Sequence, residues 1–152
     1  MTRSNARELA VHLIYELDYT KQPPLEALET RLQKEYYQLL SDENEVYTDR
    51  PSKKQRYYLT ACVTGVCEKA PELDGIIEKY SVGWGLHRIS RFAKAALRMA
   101  LYEILYVEDV PTGVAINECV EIVKKYEDAD TVKFVNGILG SFSRSLREQE
   151  QQ

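Results

Sequence analysis

The sequence of 152 residues contains few of the residues that mark strands, turns, disulfides or metal sites. It has 7 glycines, 5 prolines, 3 cysteines and 2 histidines. A fold of strands and tight turns needs more glycine and proline, and a zinc site needs clustered cysteine or histidine. Cys62 and Cys67 are five positions apart on a predicted helix, which points them to different sides. We therefore expect neither a disulfide framework nor a bound metal.

Long apolar runs are also absent, since the longest falls far short of the roughly 20 residues that a membrane span needs. The first ten residues, MTRSNARELA, are typical of an amphipathic helix start rather than of a signal peptide. The formal net charge of −4 argues against nucleic-acid binding driven by overall charge, although a local patch is compatible with it. We predict a cytoplasmic protein with no membrane partner.

Sequence motifs of catalytic and cofactor-binding sites are missing as well. The sequence has no Gly-rich phosphate loop, no G-x-S-x-G elbow and no Cys-His spacing of a metal site. Its glutamates Glu118 and Glu121 lie beside Lys124 and Lys125 on one predicted helix, where ion pairing explains them. The sequence therefore predicts a protein that is not an enzyme and that uses no cofactor.

Helical periodicity runs through most of the chain, and its length suits one domain with a sizeable core. Capping pairs predict the starts of the first helix, at Asn5 and Glu8, and of the third, at Ser52 and Gln55. Pro71 is expected to open a short fourth helix. The first five predicted helices cover about residues 5 to 18, 25 to 40, 52 to 70, 71 to 80 and 90 to 106. The residues expected to face inward from the second are Leu25, Leu28, Leu32, Tyr36 and Leu39.

Two connecting segments interrupt this pattern. Residues 41 to 51 are acidic and turn-rich, which favours a solvated loop over a binding feature. Residues 81 to 87 contain two glycines and the single tryptophan, so Trp84 is interpreted as an anchor between two halves, with base stacking as the alternative. We predict an all-α fold of two packed antiparallel helical sub-bundles, residues 1 to 80 and 81 to 147. They form a single domain of residues 1 to 152, with a frayed tail from 148.

Residues 110 to 140 carry the most information, because two amphipathic helices there hold polar residues that packing does not explain. On the first helix, Asn117 lies opposite the apolar face. Asp130 or Thr131 is expected to cap the second helix. The outer face of this second helix gathers Lys133, Gly137, Gly140, Arg144 and Arg147, with Asn136 on its rim. Each glycine costs about 1 kcal/mol against alanine, which indicates close approach either by a partner or by a neighbouring helix.

The same residues carry a family resemblance. The motifs VAINE at 114 to 118 and KFVNGIL at 133 to 139, with LRMALYE at 97 to 103 before them, resemble the NusB family of transcription antitermination factors. The segment from Ala6 to Tyr15 is similar to that family's first helix. The resemblance covers nearly the whole chain and is weakest between Thr20 and Arg56.

The resemblance implies a non-catalytic RNA-binding adaptor that binds a single-stranded boxA element of ribosomal RNA leader transcripts. It would act with NusE, a protein of the small ribosomal subunit, in a transcription elongation complex with other Nus factors. Tyr15 matches the family's partner-contacting region. The expected RNA face lies where the first turn of helix one meets the start of the final helix pair. Its residues are Arg3, Arg7, Thr112, Gly113, Asn117, Asp130, Lys133, Phe134 and Asn136.

Within this face, arginine and lysine are expected to meet phosphates, and asparagine and threonine to read base or sugar edges. Asp130 is expected to accept a hydrogen bond from a base. Phe134 also belongs to the predicted core, with base stacking as its alternative role. Two other functions remain open from the sequence. One is the NusB-like domain of an RNA cytosine methyltransferase, and the other is a helical homodimer or larger homo-oligomer with no RNA role.

Overall fold

The computed structural model describes residues 1–81, 83 and 89–151. The predicted all-α class is confirmed, since the described residues form helices and turns and no strand. The predicted anchor Trp84 lies outside the described residues. The helices are α1 (Arg3–Thr20), α2 (Pro24–Arg31), α3 (Lys34–Leu40), α4 (Lys53–Tyr80), α5 (Arg91–Tyr106), α6 (Thr112–Tyr126) and α7 (Ala129–Glu150), with a 3₁₀ turn at Glu45–Tyr47.

The chain divides into two compact units, Met1–Glu68 and Lys69–Gln152. The division falls inside α4, earlier than the boundary predicted after residue 80. We describe the two units separately, as unit 1 and unit 2. That they form a single domain stays a prediction.

Helix α1 supplies much of the core of unit 1. Helical spacing predicts an apolar stripe of Ala6, Leu9, Ala10, Leu13 and Leu17, and all five are buried. The helix starts earlier than expected, because the hydroxyl of Thr2 accepts a hydrogen bond from the backbone N–H of Asn5 at 3.0 Å. Thr2, and not Asn5, is therefore the N-cap. The capping box of Ser52 and Gln55 is confirmed by reciprocal hydrogen bonds of 2.8 and 3.2 Å.

The predicted second helix is wrong in its length and in which of its residues face inward. It is broken at Leu32 and Gln33 into α2 and α3. Leu28 and Leu32 are buried as expected, whereas Leu25, Tyr36 and Leu39 are exposed. The break rotates the following turn, so that Tyr37 is buried in place of its neighbours. The periodicity of apolar residues from 25 to 40 fits one continuous helix and therefore gives no sign of this break.

The acidic segment of residues 41 to 51 is more ordered than the expected solvated loop. Its 3₁₀ turn buries Val46 and Tyr47. The hydroxyl of Tyr37 donates a hydrogen bond to the carbonyl oxygen of Asp49 at 2.7 Å, and burial raises the pKa of Tyr37. The guanidinium of Arg31 donates to the Tyr47 hydroxyl at 2.8 Å. These contacts attach the segment to α2 and α3.

In unit 2, α5 packs against α6 and α7, and α6 packs against α7. The fourth helix predicted to open at Pro71 is wrong, because Pro71 lies inside the continuous helix α4. Leu73 and Ile77 that follow it have no exposed surface, so tertiary packing overrides the helix-breaking tendency of proline. Arg98 of α5 also holds this part of α4, through two hydrogen bonds to the Asp74 carboxylate of 2.7 and 2.8 Å.

The ends of α5 and α7 are defined by caps. The Ser90 hydroxyl accepts a hydrogen bond from the Ala93 N–H at 3.0 Å and donates one to Glu127 at 2.6 Å. The cap of α7 is Asp128, whose carboxylate accepts from the Thr131 N–H at 2.8 Å, and not Asp130 or Thr131 as predicted. This backbone hydrogen bond lowers the pKa of Asp128. The tail expected to fray from residue 148 continues α7 to Glu150.

Candidate nucleic-acid interface

An open groove of about 510 Å³ follows the outer face of α7 in unit 2. Its α7 residues form two parallel rows, because positions four apart lie above one another on a helix. Tyr80, from the end of α4, closes one side and packs edge-on against the Phe142 ring, with centroids 5.8 Å apart. We call this the α7 groove. Its lining residues are Tyr80, Asp130, Lys133, Phe134, Gly137, Ile138 and Ser141.

Three of the sequence-predicted site residues meet in the α7 groove. Asp130 and Lys133 are exposed, while Phe134 is 9% exposed and contributes an edge to the groove wall. The groove thus combines a cation, a carboxylate and the aromatic side chains of Tyr80 and Phe134. Such a set suits an unpaired nucleotide, with its phosphate near the lysine, its base against the aromatic wall and a base donor at the carboxylate.

The two glycines of α7 are not required by packing within the described residues. A Cβ atom on Gly137 would have no described heavy atom within 4 Å. One on Gly140 would meet the flexible end of the Arg144 side chain at 3.5 Å, an ordinary contact. The tight-packing alternative is therefore unsupported, and Gly137 keeps the groove open. This observation favours the alternative of an approaching partner.

The remaining predicted residues of unit 2 lie outside the groove. Thr112, Gly113 and Asn117 occupy the first two turns of α6, with Gly113 and Asn117 exposed. Asn136 is exposed on α7 beside the groove. Because only two residues join α6 to α7 and the helices pack together, the pair runs antiparallel. The starts of α6 and α7 then lie roughly 20 Å apart, the length of a 15-residue helix.

Unit 1 contains the predicted arginines of the first turn. Arg3 is half-buried, and its guanidinium carbon lies 4.0 Å from the centroid of the Tyr58 ring. Arg7 is only 3% exposed, so this member of the expected RNA face offers almost no surface to a phosphate. Spacing places the two residues in one row of α1, but burial along that row is decided by packing. The predicted meeting of this turn with the final helix pair involves both units and stays a prediction.

Tyr15, the predicted partner contact, is half-buried on α1. Its ring lies edge-on to that of Tyr19 with centroids 5.2 Å apart, and the two hydroxyls are 3.4 Å apart. Tyr19 is 53% exposed, so the pair presents an aromatic surface.

Sequence reasoning missed two groove residues, Tyr80 and Ser141. Ser141 is four positions from Gly137 and eight from Lys133, so extending the basic face by one turn would have found it. Tyr80 carries no such signal, because its place beside α7 depends on the packing of α4.

Among the described helices, none has an apolar stretch of the length that a membrane span requires. The described residues also contain no cluster of three or more side chains suited to a metal ion.

A model of the NusB family matches residues 4–144. The chain belongs to the NusB family. The transcription antitermination protein NusB of Ruminiclostridium cellulolyticum is 39% identical over 150 residues, which are 99% of this chain and 94% of the relative. The structure of T. maritima NusB superimposes with a TM-score of 0.77 at 27% identity, covering 95% of this chain and 92% of that one.

A further NusB structure contains NusE and double-stranded RNA in the same complex. It matches with a TM-score of 0.72 at 25% identity, and the match covers 94% of this chain and 96% of that NusB chain. The NusB-family resemblance predicted from the sequence is thereby confirmed. The prediction of a non-catalytic transcription antitermination factor is confirmed at the level of the family.

Proposed function

We propose that this NusB-family chain is a cytoplasmic adaptor that binds a boxA-like single-stranded RNA together with NusE in a transcription elongation complex. The observation that carries the proposal is the α7 groove, where Lys133, Asp130 and an aromatic wall surround a space that Gly137 leaves open. The related NusB structure with NusE and double-stranded RNA supports NusE and RNA as partners, while the choice of single-stranded RNA rests on the groove.

An RNA strand that lies along the α6–α7 pair accounts for the spread of the candidate residues. The strand meets Lys133 at the α7 groove and Asn136 beside it, and it reaches Asn117 and Thr112 toward the other end of the pair. A compact ligand the size of one base contacts only one end. Extended, unpaired RNA fits because its bases and phosphates are both accessible along its length.

Binding by this chain alone is expected to be weak. With about three phosphate contacts, from residues such as Arg3, Lys133 and Arg144, the salt slope for a single strand is only about −2. The formal charge of −4 adds a mean repulsion toward RNA. NusE is therefore expected to supply the remaining contacts, with Tyr15 and the exposed Tyr19 beside it as the proposed docking surface.

Two substitutions in the α7 groove separate electrostatic from sequence-reading contacts. Lys133→Ala should weaken binding to all RNA sequences alike and reduce the salt slope by about 0.7, the contribution of one phosphate contact on a single strand. Asp130→Asn should change the preferred sequence with little effect on stability, since Asp128 and not Asp130 caps α7. Fluorescence anisotropy with boxA-like and scrambled RNA, in the presence of NusE, measures both effects at two salt concentrations.

The control for these measurements is Lys124→Ala, which removes an exposed lysine that pairs with Glu121 at 3.2 Å. It should leave the salt slope unchanged. If Lys133→Ala also leaves affinity and slope unchanged, the RNA face is wrongly placed on α7.

Substitutions at Gly137 test whether the groove must stay open. Gly137→Ala should raise the free energy of unfolding by about 1 kcal/mol, because alanine favours the helix and no described atom opposes its Cβ. Gly137→Leu should fill the groove and weaken RNA binding by about tenfold, which corresponds to about 1.4 kcal/mol of lost contact. Thermal unfolding and RNA titration with NusE measure the two results.

Gly75→Leu is the matched control, because Gly75 is also an exposed helical glycine of unit 2 with no described heavy atom within 4 Å of its Cβ position, and it does not line the groove. We expect it to retain RNA affinity. Equal RNA affinity of the Gly137→Leu and Gly75→Leu variants would show that no nucleotide occupies the groove.

A further inference from the structure

A second groove, in unit 1, carries positive charge in a chain whose overall charge is negative. Its volume is about 390 Å³, and it lies between the end of α2, the start of α3 and the start of α4, with Arg50 just before α4. We call it the α2–α4 groove. Three of its residues are cations and one is an acid. Its lining residues are Glu29, Thr30, Leu32, Gln33, Lys34, Arg50 and Arg56.

The cations of this groove are not neutralised within the described part of the chain. Lys34, Arg50 and Arg56 are all exposed, and none forms an ion pair with a described carboxylate. Arg50 donates one hydrogen bond, to the carbonyl oxygen of Leu32 at 3.2 Å, which fixes its side chain at the groove wall. The groove therefore presents three unneutralised cationic side chains to a ligand.

The charge extends from the groove along the first turn of α4, which contains Lys53 and Lys54 and no acidic residue. Cations at a helix N-terminus are unfavourable for folding, because the macrodipole already places positive charge there. Helix stability thus gives no reason for this run of cations. An anionic ligand offers one, since it would be attracted both by the side chains and by the helix end.

An aromatic ring stands next to these cations. Tyr57 is 80% exposed, and its ring has no aromatic or cationic contact among the described residues. Lys53 is four positions before Tyr57 and three before Arg56, so it lies between the ring and the groove on the helix surface. Exposed aromatic rings beside a cationic groove are typical of surfaces that bind single-stranded nucleic acid.

We propose that the α2–α4 groove and Tyr57 bind single-stranded RNA that flanks the boxA-like element. The phosphates lie along Lys34, Arg50 and Arg56, and a base stacks on the Tyr57 ring. The inference rests on the proposed function, because it assumes that the protein is brought to RNA by that element. The sequence segment concerned, between Thr20 and Arg56 with its neighbour Tyr57, is where the family resemblance is weakest.

The test compares two RNAs in the presence of NusE, the boxA-like element alone and the same element extended on both sides by unpaired nucleotides. The groove variant combines Lys34→Gln, Arg50→Gln and Arg56→Gln. It should reduce the salt slope for the extended RNA by about two units, because each of three lost phosphate contacts contributes about 0.7 to the slope on a single strand. The slope for the short RNA should stay unchanged. A matched variant with the same loss of charge in unit 2, Lys69→Gln, Arg91→Gln and Lys124→Gln, should retain both slopes.

Tyr57 provides a second variant that does not depend on charge. Tyr57→Ala should weaken binding of the extended RNA by about 5- to 150-fold, the range of one lost base stack, whereas Tyr57→Phe should bind like the wild type. The exposure of this ring means that the substitution leaves the core intact, which thermal unfolding of all variants checks.

The possible failures are distinguishable. If the wild-type protein with NusE does not bind the short element, the proposed function is contradicted. If it binds the short element but the groove and Tyr57→Ala variants behave like the wild type on the extended RNA, the second surface is contradicted alone. Loss of NusE binding by the groove variant in the absence of RNA would overturn the inference in favour of a protein-docking surface.

Discussion

Replacing Phe134 with alanine is expected to lower the free energy of unfolding by about 3 kcal/mol, the lower end of the range for a buried phenylalanine. The ring is 9% exposed and lies in the apolar stripe of α7 with Val135 and Ile138, which are almost fully buried. Its exposed edge lines the α7 groove, so part of the space that the ring vacates is open to solvent. Urea unfolding of the variant against the wild type measures the loss.

Phe134→Leu separates the two roles assigned to this ring. Leucine should restore most of the stability, because it refills the core, but it offers no aromatic edge to a base. RNA binding with NusE should therefore remain weaker than that of the wild type at a temperature where both proteins are folded. A stability loss of less than about 0.5 kcal/mol for Phe134→Ala, as at surface positions, would show that the ring is not part of the core.

Replacing Arg31 with alanine is expected to lower the free energy of unfolding by about 2–3 kcal/mol. The residue is 9% exposed, donates to the Tyr47 hydroxyl at 2.8 Å and pairs with Glu16 of α1. Burial acts against its charged form, but the oxygens of Tyr47 and Glu16 outweigh burial and raise the pKa of Arg31. Alanine removes this donor and the attachment of the 3₁₀ turn to α1 and α2.

Two controls apportion the loss at Arg31. Glu16→Gln should lose less than about 1 kcal/mol, because the Glu16 side chain is 45% exposed and its ion pair is screened by water. Arg31→Lys should recover only part of the stability, since an ammonium group cannot reach two partners with a planar fork. Urea unfolding of the three variants gives the comparison. Equal losses for Glu16→Gln and Arg31→Ala would show that the ion pair, and not the Tyr47 contact, dominates.

Several features of the fold could be predicted because they depend on residues close in sequence. The apolar stripes of α1, α5, α6 and α7 follow largely from helical spacing, since each residue advances a helix by about 100°. Tyr126, which spacing places on the buried face of α6, is nevertheless exposed. The capping box at Ser52 and Gln55 was also predicted, because it is a motif of four consecutive residues. The exposure of Asn117 and Lys133 also followed from spacing, since it placed both residues opposite the buried stripes.

Errors occurred where two local signals conflicted or where a break left no signal. Pro71 predicted a helix start, but the packing of Leu73 and Ile77 and the bond from Arg98 to Asp74 keep α4 continuous. The break at Leu32 changed which residues of the predicted second helix are buried. Capping positions were misplaced by two or three residues, because several neighbouring polar side chains can accept the same backbone hydrogen bond.

By itself, the sequence determined the helical class, the family and the polar residues of the α7 face. Periodicity and motifs involve residues close in sequence, so they can be recognised without knowing the tertiary contacts. Tertiary structure alone decided that Arg7 is buried, that Tyr80 completes the α7 groove and that Arg50 and Arg56 share a groove with Lys34. These outcomes depend on which segments distant in sequence approach one another. Helical spacing gives the direction of a side chain around its own axis, but it carries no information on what lies opposite.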